Sequence, residues 1–207
     1  MIEQGSDLWH QQRLGKLTAS RIADALARTK TGWGASRYNL MSNLIIERLT
    51  GQSVDSYMND AMRWGIETEP QARDAYCFYL DCEVEQVGFI DHPVIAMSGA
   101  SPDGLVGDDG LLEIKCPGSA THLDFLLSGA IADKYQKQMT WQLACTQRRW
   151  CDFVSFDPRF PADIQFKRIR FTPSKEDIAE MEREAKTFLT ELDVKLSELL
   201  NLRGESI

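Results

Sequence analysis

Two neighbouring stretches concentrate side chains able to hold a hard cation against a phosphate. They are Ser98-Gly-Ala-Ser-Pro-Asp103-Gly and Leu111-Leu-Glu113-Ile-Lys115-Cys-Pro117. Side chains alternate along a strand, so Glu113 and Lys115 share one face while Ile114 points to the other. Asp103 precedes the adjacent strand, where a hairpin folds it back beside Glu113. Two carboxylates joined by the Ile114 carbonyl form the oxygen-rich ligand set that Mg²⁺ takes, with water completing its shell. The Lys115 ammonium is placed to orient or deprotonate a water and to stabilise charge building on a phosphoryl group. Taken singly, Glu-x-Lys is a common exposed alternation and Pro-Asp-Gly a common turn. Their conjunction on one hairpin, after a run of small residues, points to phosphodiester hydrolysis.

The elements that must position these groups follow from hydrophobic period. Helices are expected over Thr18–Ala27, Ser36–Thr50 (with Gly51 as its stop) and Asn59–Leu80, with a polar loop over Thr29–Gly34. The period then changes to that of strands: Val84–Ile90, Val94–Met97, Leu105–Val106 and Leu111–Cys116, with Asp109-Gly110 turning between the last two. Helices over Leu123–Ser128 and Lys134–Thr146 precede strands over Trp150–Phe156 and Ile164–Phe171. A C-terminal helix covers about 174–202, started by a capping-box-like Ser174 and Asp177, its stripe of Ile178, Met181, Ala185, Phe188 and Leu192 packing on its own subunit. This order implies an α+β (α/β-like) fold with a central mixed β-sheet flanked by helices, and one domain over 1–207.

Composition narrows the class. The 207 residues are 43% hydrophobic and 26% charged, ordinary for a globular protein. Neither a membrane span nor a signal peptide is expected, and a bacterial or phage-infected cytoplasm fits. Five cysteines without a C-x-x-C pair, and three scattered histidines, give no disulfide framework and no zinc pattern. The net charge of −8 is unevenly spread: residues 1–50 carry +3, 51–114 carry −11, 115–170 carry +4 and 171–207 carry −4. An acidic centre between basic segments suits a cation site in a phosphate-binding groove, though solvated faces account for such charges equally well.

Further matching stretches carry a resemblance. Trp9-His-Gln-Gln-Arg13-Leu-Gly with Thr18-Ala-Ser20, Trp64-Gly65 followed by Glu69, Ser101-Pro-Asp103-Gly, Glu113-Ile-Lys115-Cys-Pro117 and Tyr135-Gln-Lys-Gln138 occur in the order of one family. The chain resembles the phage lambda exonuclease (YqaJ-type viral recombinase, alkaline exonuclease) family of the PD-(D/E)xK nuclease superfamily, over about residues 9 to 157. The resemblance implies a Mg²⁺-dependent 5′→3′ exonuclease on double-stranded DNA that releases mononucleotides and leaves 3′ overhangs for strand annealing. Mn²⁺ is expected to substitute, with two ions bound.

By position, Asp103, Glu113 and the Ile114 carbonyl would be metal ligands and Lys115 the catalytic lysine. Glu69 would be a further acidic group near the metals, and Gln138 would reach the site from its helix. Arg13, Ser20 and Ser101 would hold the 5′-terminal phosphate. Taken alone, Ser20 reads as a helix cap, Arg13 as surface charge and Glu69 as a helix-surface carboxylate. The expected partners are duplex DNA ends, two further copies in a homotrimer ring and a single-strand annealing protein. Gly118–Thr121 lacks the basic residue some relatives place at the duplex end. An endonuclease of restriction or repair is the alternative enzyme, and a catalytically dead DNA-binding module is disfavoured by the intact Asp103, Glu113 and Lys115.

Overall fold

The computed structural model describes residues 2–54 and 58–205. Five strands form the central sheet in the order β10-β9-β8-β7-β4: β4 (Val84–Glu85), β7 (Gly104–Val106), β8 (Gly110–Lys115), β9 (Trp150–Phe156) and β10 (Phe166–Phe171). Strand β8 runs parallel to β9 and antiparallel to β7, so the sheet is mixed. A smaller sheet joins β1 (Leu17–Thr18), β6 (Ser98–Ala100) and β5 (Ile90–Asp91), and a hairpin pairs β2 (Arg28–Thr29) with β3 (Gly32–Trp33). The helices are α1 (Asp7–Arg13), α2 (Ile22–Ala25), α3 (Ala35–Thr50), α4 (Asp60–Leu80), α5 (Ser119–Ser128), α6 (Asp133–Thr146) and α7 (Lys175–Glu205). The expected mixed sheet flanked by helices is present.

Alternation along the sheet separates two cores. Leu112, Ile114 and Val154 pack with Ala72 and Tyr76 of α4 on one face. Leu111, Cys151 and Phe153 pack with Phe125 of α5 and Met139 and Leu143 of α6 on the other. A third cluster gathers Trp141 and Ala144 of α6 with Leu17, Ile22, Leu44, Phe188 and Leu192 from β1, α2, α3 and α7. Helix α6 therefore lies between the sheet and a second layer of helices. The C-terminal helix packs its predicted stripe inward, and its cap is reciprocal. The Asp177 N–H donates to Ser174 Oγ at 3.0 Å while Asp177 Oδ2 accepts from the Ser174 N–H at 3.0 Å.

Several local expectations are corrected. The helix expected over Thr18–Ala27 is instead the strand β1, a 3₁₀ turn at Ala19–Arg21 and the short α2. Thr18 is extended because β1 pairs in parallel with β6. The strand expected over Val84–Ile90 is two strands in different sheets, and its middle hydrogen-bonds to the N-terminal segment: Gln4 Nε2 donates to the Val87 carbonyl at 2.7 Å. Val94–Met97 is not a strand; Met97 turns the chain with φ 57°, and the strand is the following Ser-Gly-Ala. Gly99 is required there, since a side chain would collide with the Phe89 ring and the Ile90 carbonyl. The loop expected over Thr29–Gly34 contains the β2–β3 hairpin, whose Trp33 stacks between the Arg28 and Arg37 guanidiniums at 4.0 and 3.8 Å. Helix α1, not anticipated, is capped by Ser6 and buries no residue, so it leaves no apolar stripe to read.

Asp152 ties the back of the sheet to α4. Its buried carboxylate accepts from Tyr76 Oη at 2.7 Å, Arg168 Nη1 at 2.8 Å, and Arg170 Nε and Nη2 at 2.8 and 2.9 Å. Burial raises its pKa, but these donors outweigh burial and hold it below the usual carboxylate value. A depressed folded-state pKa contributes stability above the unfolded value, about 3.9, that is lost as pH falls through the folded one. Asp152→Asn should therefore cost on the order of 2 kcal/mol at pH 7, given partly exposed arginines. In urea melts that gap should close toward pH 3; a gap independent of pH would remove the ionised carboxylate from the account.

Candidate active site

The β7–β8 hairpin brings Asp103 beside Glu113 as the sequence predicts. Gly104 pairs with Leu112, and the Asp103 N–H donates to the Leu112 carbonyl at 3.1 Å, one step beyond the ladder. Asp103 Oδ2 accepts from the Ile114 N–H at 2.6 Å, which fixes the carboxylate against β8. The Ile114 side chain is in the α4-facing core, as expected.

Glu113 has no exposed surface, so both carboxylate oxygens need partners inside the protein. Oε1 accepts from Gln138 Nε2 at 2.7 Å and pairs with Lys115 Nζ; Oε2 accepts from Gln142 Nε2 at 2.6 Å. Gln138 thus reaches the site from α6 as predicted. Burial works to lower the Lys115 pKa, but Glu113 and Asp103 together outweigh it and the value is raised. Lys115 is therefore cationic here, its Nζ also lying 5.1 Å from the Tyr135 ring centroid.

The Asp103 pKa is raised as well, which for a carboxyl favours the neutral form. Burial first, then the negative charges of Glu113 and Glu69, raise its pKa well above the usual value. Glu69, on α4, is paired with Arg73; burial raises its pKa too, and it senses both Glu113 and Lys115. All five groups expected at the reaction centre are brought together.

The donor set suits a hard divalent cation, because the buried Glu113 and the partly buried Asp103 are close, mutually repelled carboxylates whose cost such an ion would relieve. Among the described residues no group of three or more His, Cys, Asp and Glu has a metal-ligand arrangement. The groups able to hold such an ion are the Asp103 and Glu113 carboxylates and the Ile114 carbonyl, with Glu69 nearby on α4.

A second cluster lies at the start of the chain. Arg13 Nη2 donates to Ser20 Oγ at 3.4 Å, and the Thr18 and Ser20 hydroxyls lie 3.2 Å apart. The Arg13 guanidinium stacks 3.8 Å from the Trp9 ring centroid, while Trp9 Nε1 donates to Ser101 Oγ at 2.9 Å. Trp9 thereby links Arg13 to Ser101, so all three predicted phosphate-binding residues lie in one cluster. Burial, and next the charge of Arg21, push the Arg13 pKa down to about 10, with Glu47 opposing. Arg13 remains charged at neutral pH, in surroundings that an anion would stabilise.

Sequence reasoning missed Gln142, Arg73 and the double role of Trp9. The i, i+4 spacing of Gln138 and Gln142 was the available signal for the first.

The match with known proteins agrees with this geometry. Residues 8–149 match the YqaJ-like viral recombinase domain. The chain belongs to this family. Among solved structures it is similar to LHK-Exo in complex with dAMP, with 46% identity, TM-score 0.92, and coverage of 98% of this chain and 100% of that one. The structure of LHK-Exo as an alkaline exonuclease from Laribacter hongkongensis matches at the same identity and coverage, with TM-score 0.91. A phage related exonuclease from Haemophilus somnus 129PT shares the fold at 13% identity and TM-score 0.69, over 89% of this chain and 96% of that one. No curated protein matches. The family member is thus homologous to an exonuclease over nearly its whole length.

Proposed function

We propose that this chain is a Mg²⁺-dependent exonuclease that degrades one strand of duplex DNA from its 5′ end. It releases 5′-mononucleotides and leaves a 3′ overhang for recombination by strand annealing. One observation carries this reading over an endonuclease: Ser101, in the Arg13 cluster, and Asp103, at the carboxylate site, are two residues apart on one segment. That link spans at most about 7 Å, the scale of a single nucleotide. A terminal phosphate held by that cluster would set the first internucleotide linkage against Asp103, Glu113 and Lys115. The dAMP bound to LHK-Exo is a nucleotide of the proposed product class.

Asp103, Glu113 and the Ile114 carbonyl would hold Mg²⁺, or Mn²⁺ in its place, and a second ion would draw on Glu69. When bound, the ion would supply a Lewis acid and a more acidic water. The cationic Lys115 stabilises charge building on the phosphoryl oxygens, and Gln138 keeps Glu113 oriented. Arg13, with the Ser20 and Ser101 hydroxyls, binds the terminal phosphate.

A subunit of charge −8 has little electrostatic hold on DNA, so we also propose a homotrimer ring with the basic segments 1–50 and 115–170 toward the duplex. A single-strand annealing protein would take up the overhang. The proposed setting is the cytoplasm of a bacterial or phage-infected cell, and no helix among the described residues is long and apolar enough to cross a membrane.

Linear duplex should be degraded in Mg²⁺ and spared in EDTA. Asp103→Ala, Glu113→Ala and Lys115→Ala should each lower the rate by roughly 10²–10³ or more. Wild-type rates in Lys115→Ala, or undiminished digestion in EDTA, would refute the site.

Closed circular duplex should resist, and a 5′-phosphorylated end should be digested faster than a 5′-hydroxyl end, a difference that Arg13→Ala removes. An Arg13→Ala enzyme with the same preference would place the phosphate contact elsewhere, and rapid cutting of circles would favour the endonuclease.

Light scattering should give about 70 kDa, three subunits of 23.5 kDa; a processive monomer at micromolar concentration excludes the ring.

A further inference from the structure

Gln142 is a fully buried amide on α6, one turn after Gln138. Its Nε2 donates to Glu113 Oε2 at 2.6 Å, while its own Oε1 has no hydrogen-bond partner among the described residues. An unpaired buried amide oxygen burdens a fold, and Gln142 lies beside Met139 and Leu143, in a core that an apolar side chain would suit. The side chain is therefore poorly explained by stability and well explained by what its N–H touches.

A carboxylate has about four lone-pair directions. In Glu113, Gln138 and Lys115 engage Oε1 and Gln142 engages Oε2, leaving a direction open on Oε2. Two of the three donors are neutral amides, which orient the carboxylate without cancelling its charge. A lysine or arginine at 142 would orient it equally well and compete with any cation.

We propose that Gln142 is a positioning residue, holding the Glu113 carboxylate in one orientation so that Oε2 stays available to a divalent cation. This rests on the reading of the site as a divalent-ion nuclease. Groups that orient a metal ligand through hydrogen bonds typically contribute 10–100-fold in metal affinity.

The test is calorimetric titration of Mn²⁺ into metal-stripped wild-type and Gln142→Met protein, with thermal melts of both in EDTA. Methionine keeps the length and volume of glutamine and removes both the donor and the unpaired oxygen. The expected result is roughly 10–100-fold weaker Mn²⁺ binding, with a melting temperature in EDTA equal to or above wild type.

Equal Mn²⁺ affinity in the variant overturns the inference and leaves the nuclease reading standing. A lower melting temperature with unchanged affinity assigns Gln142 a purely structural role, which also overturns it. If Gln142→Met fails to fold, Gln142→Leu is read by the same criteria, and failure of both returns the residue to the core. A wild-type protein that binds no Mn²⁺ removes the nuclease reading, and the inference with it.

Discussion

A carboxylate sealed inside a β-sheet is a severe demand on a fold, and Glu113 makes that demand in the central strand. An ion in such a place is tolerated only where hydrogen-bond donors and opposite charge replace the water it has lost. Here Gln138, Gln142 and Lys115 perform that replacement. Two of these donors come from α6, so the helix must dock against β8 in one rotation and at one height. Asp103 adds a second negative charge to the same place, held by the Ile114 N–H, and Glu69 a third. The sheet core, the helix docking and the electrostatics of the site are consequences of one buried anion and its neighbours.

Stability and chemistry part company at this point. On the α4-facing side of the sheet, Asp152 is also without exposed surface, but it meets two arginines and a tyrosine, and its pKa falls. At the candidate active site, Asp103 and Glu69 have their pKa values raised. Both settings take acidic groups wholly or partly out of water, but only one leaves negative charge without matching cations. Strain of that kind is what a cation-binding centre requires and what a structural ion pair avoids.

Much of this was legible in the sequence because the site lies on a regular hairpin. The alternation around Glu113, Ile114 and Lys115 gives the facing of each side chain, while the turn expected at Asp109-Gly110 falls earlier, over residues 107–109 with Gly107 at φ 52°, because Gly110, already in β8, pairs with Val106. The long amphipathic helices α3, α4 and α7 were equally plain. What stayed hidden has physical causes. Ser98–Ala100 forms a strand by close backbone approach at Gly99, for which hydropathy has no sign. Residues 84–91 cross between two sheets, and only tertiary contacts such as that from Gln4 divide the run. Helix α1 buries nothing. Gln142 looked like any polar helix residue, because its meaning depends on an oxygen 29 positions earlier in the chain.

Helix α6 is enclosed by the sheet core on one side and by the α2, α3 and α7 cluster on another, with the Glu113 carboxylate meeting a third. Such a helix has little room for drift. A change to its packing on Phe188 or Leu192 would tilt the amides that face Glu113, so distant residues that never meet DNA inherit a share of the site's geometry. Its freedom to vary is greatest at the exposed Asp133, Lys134 and Gln136, at the end of the helix where the packing constrains it least.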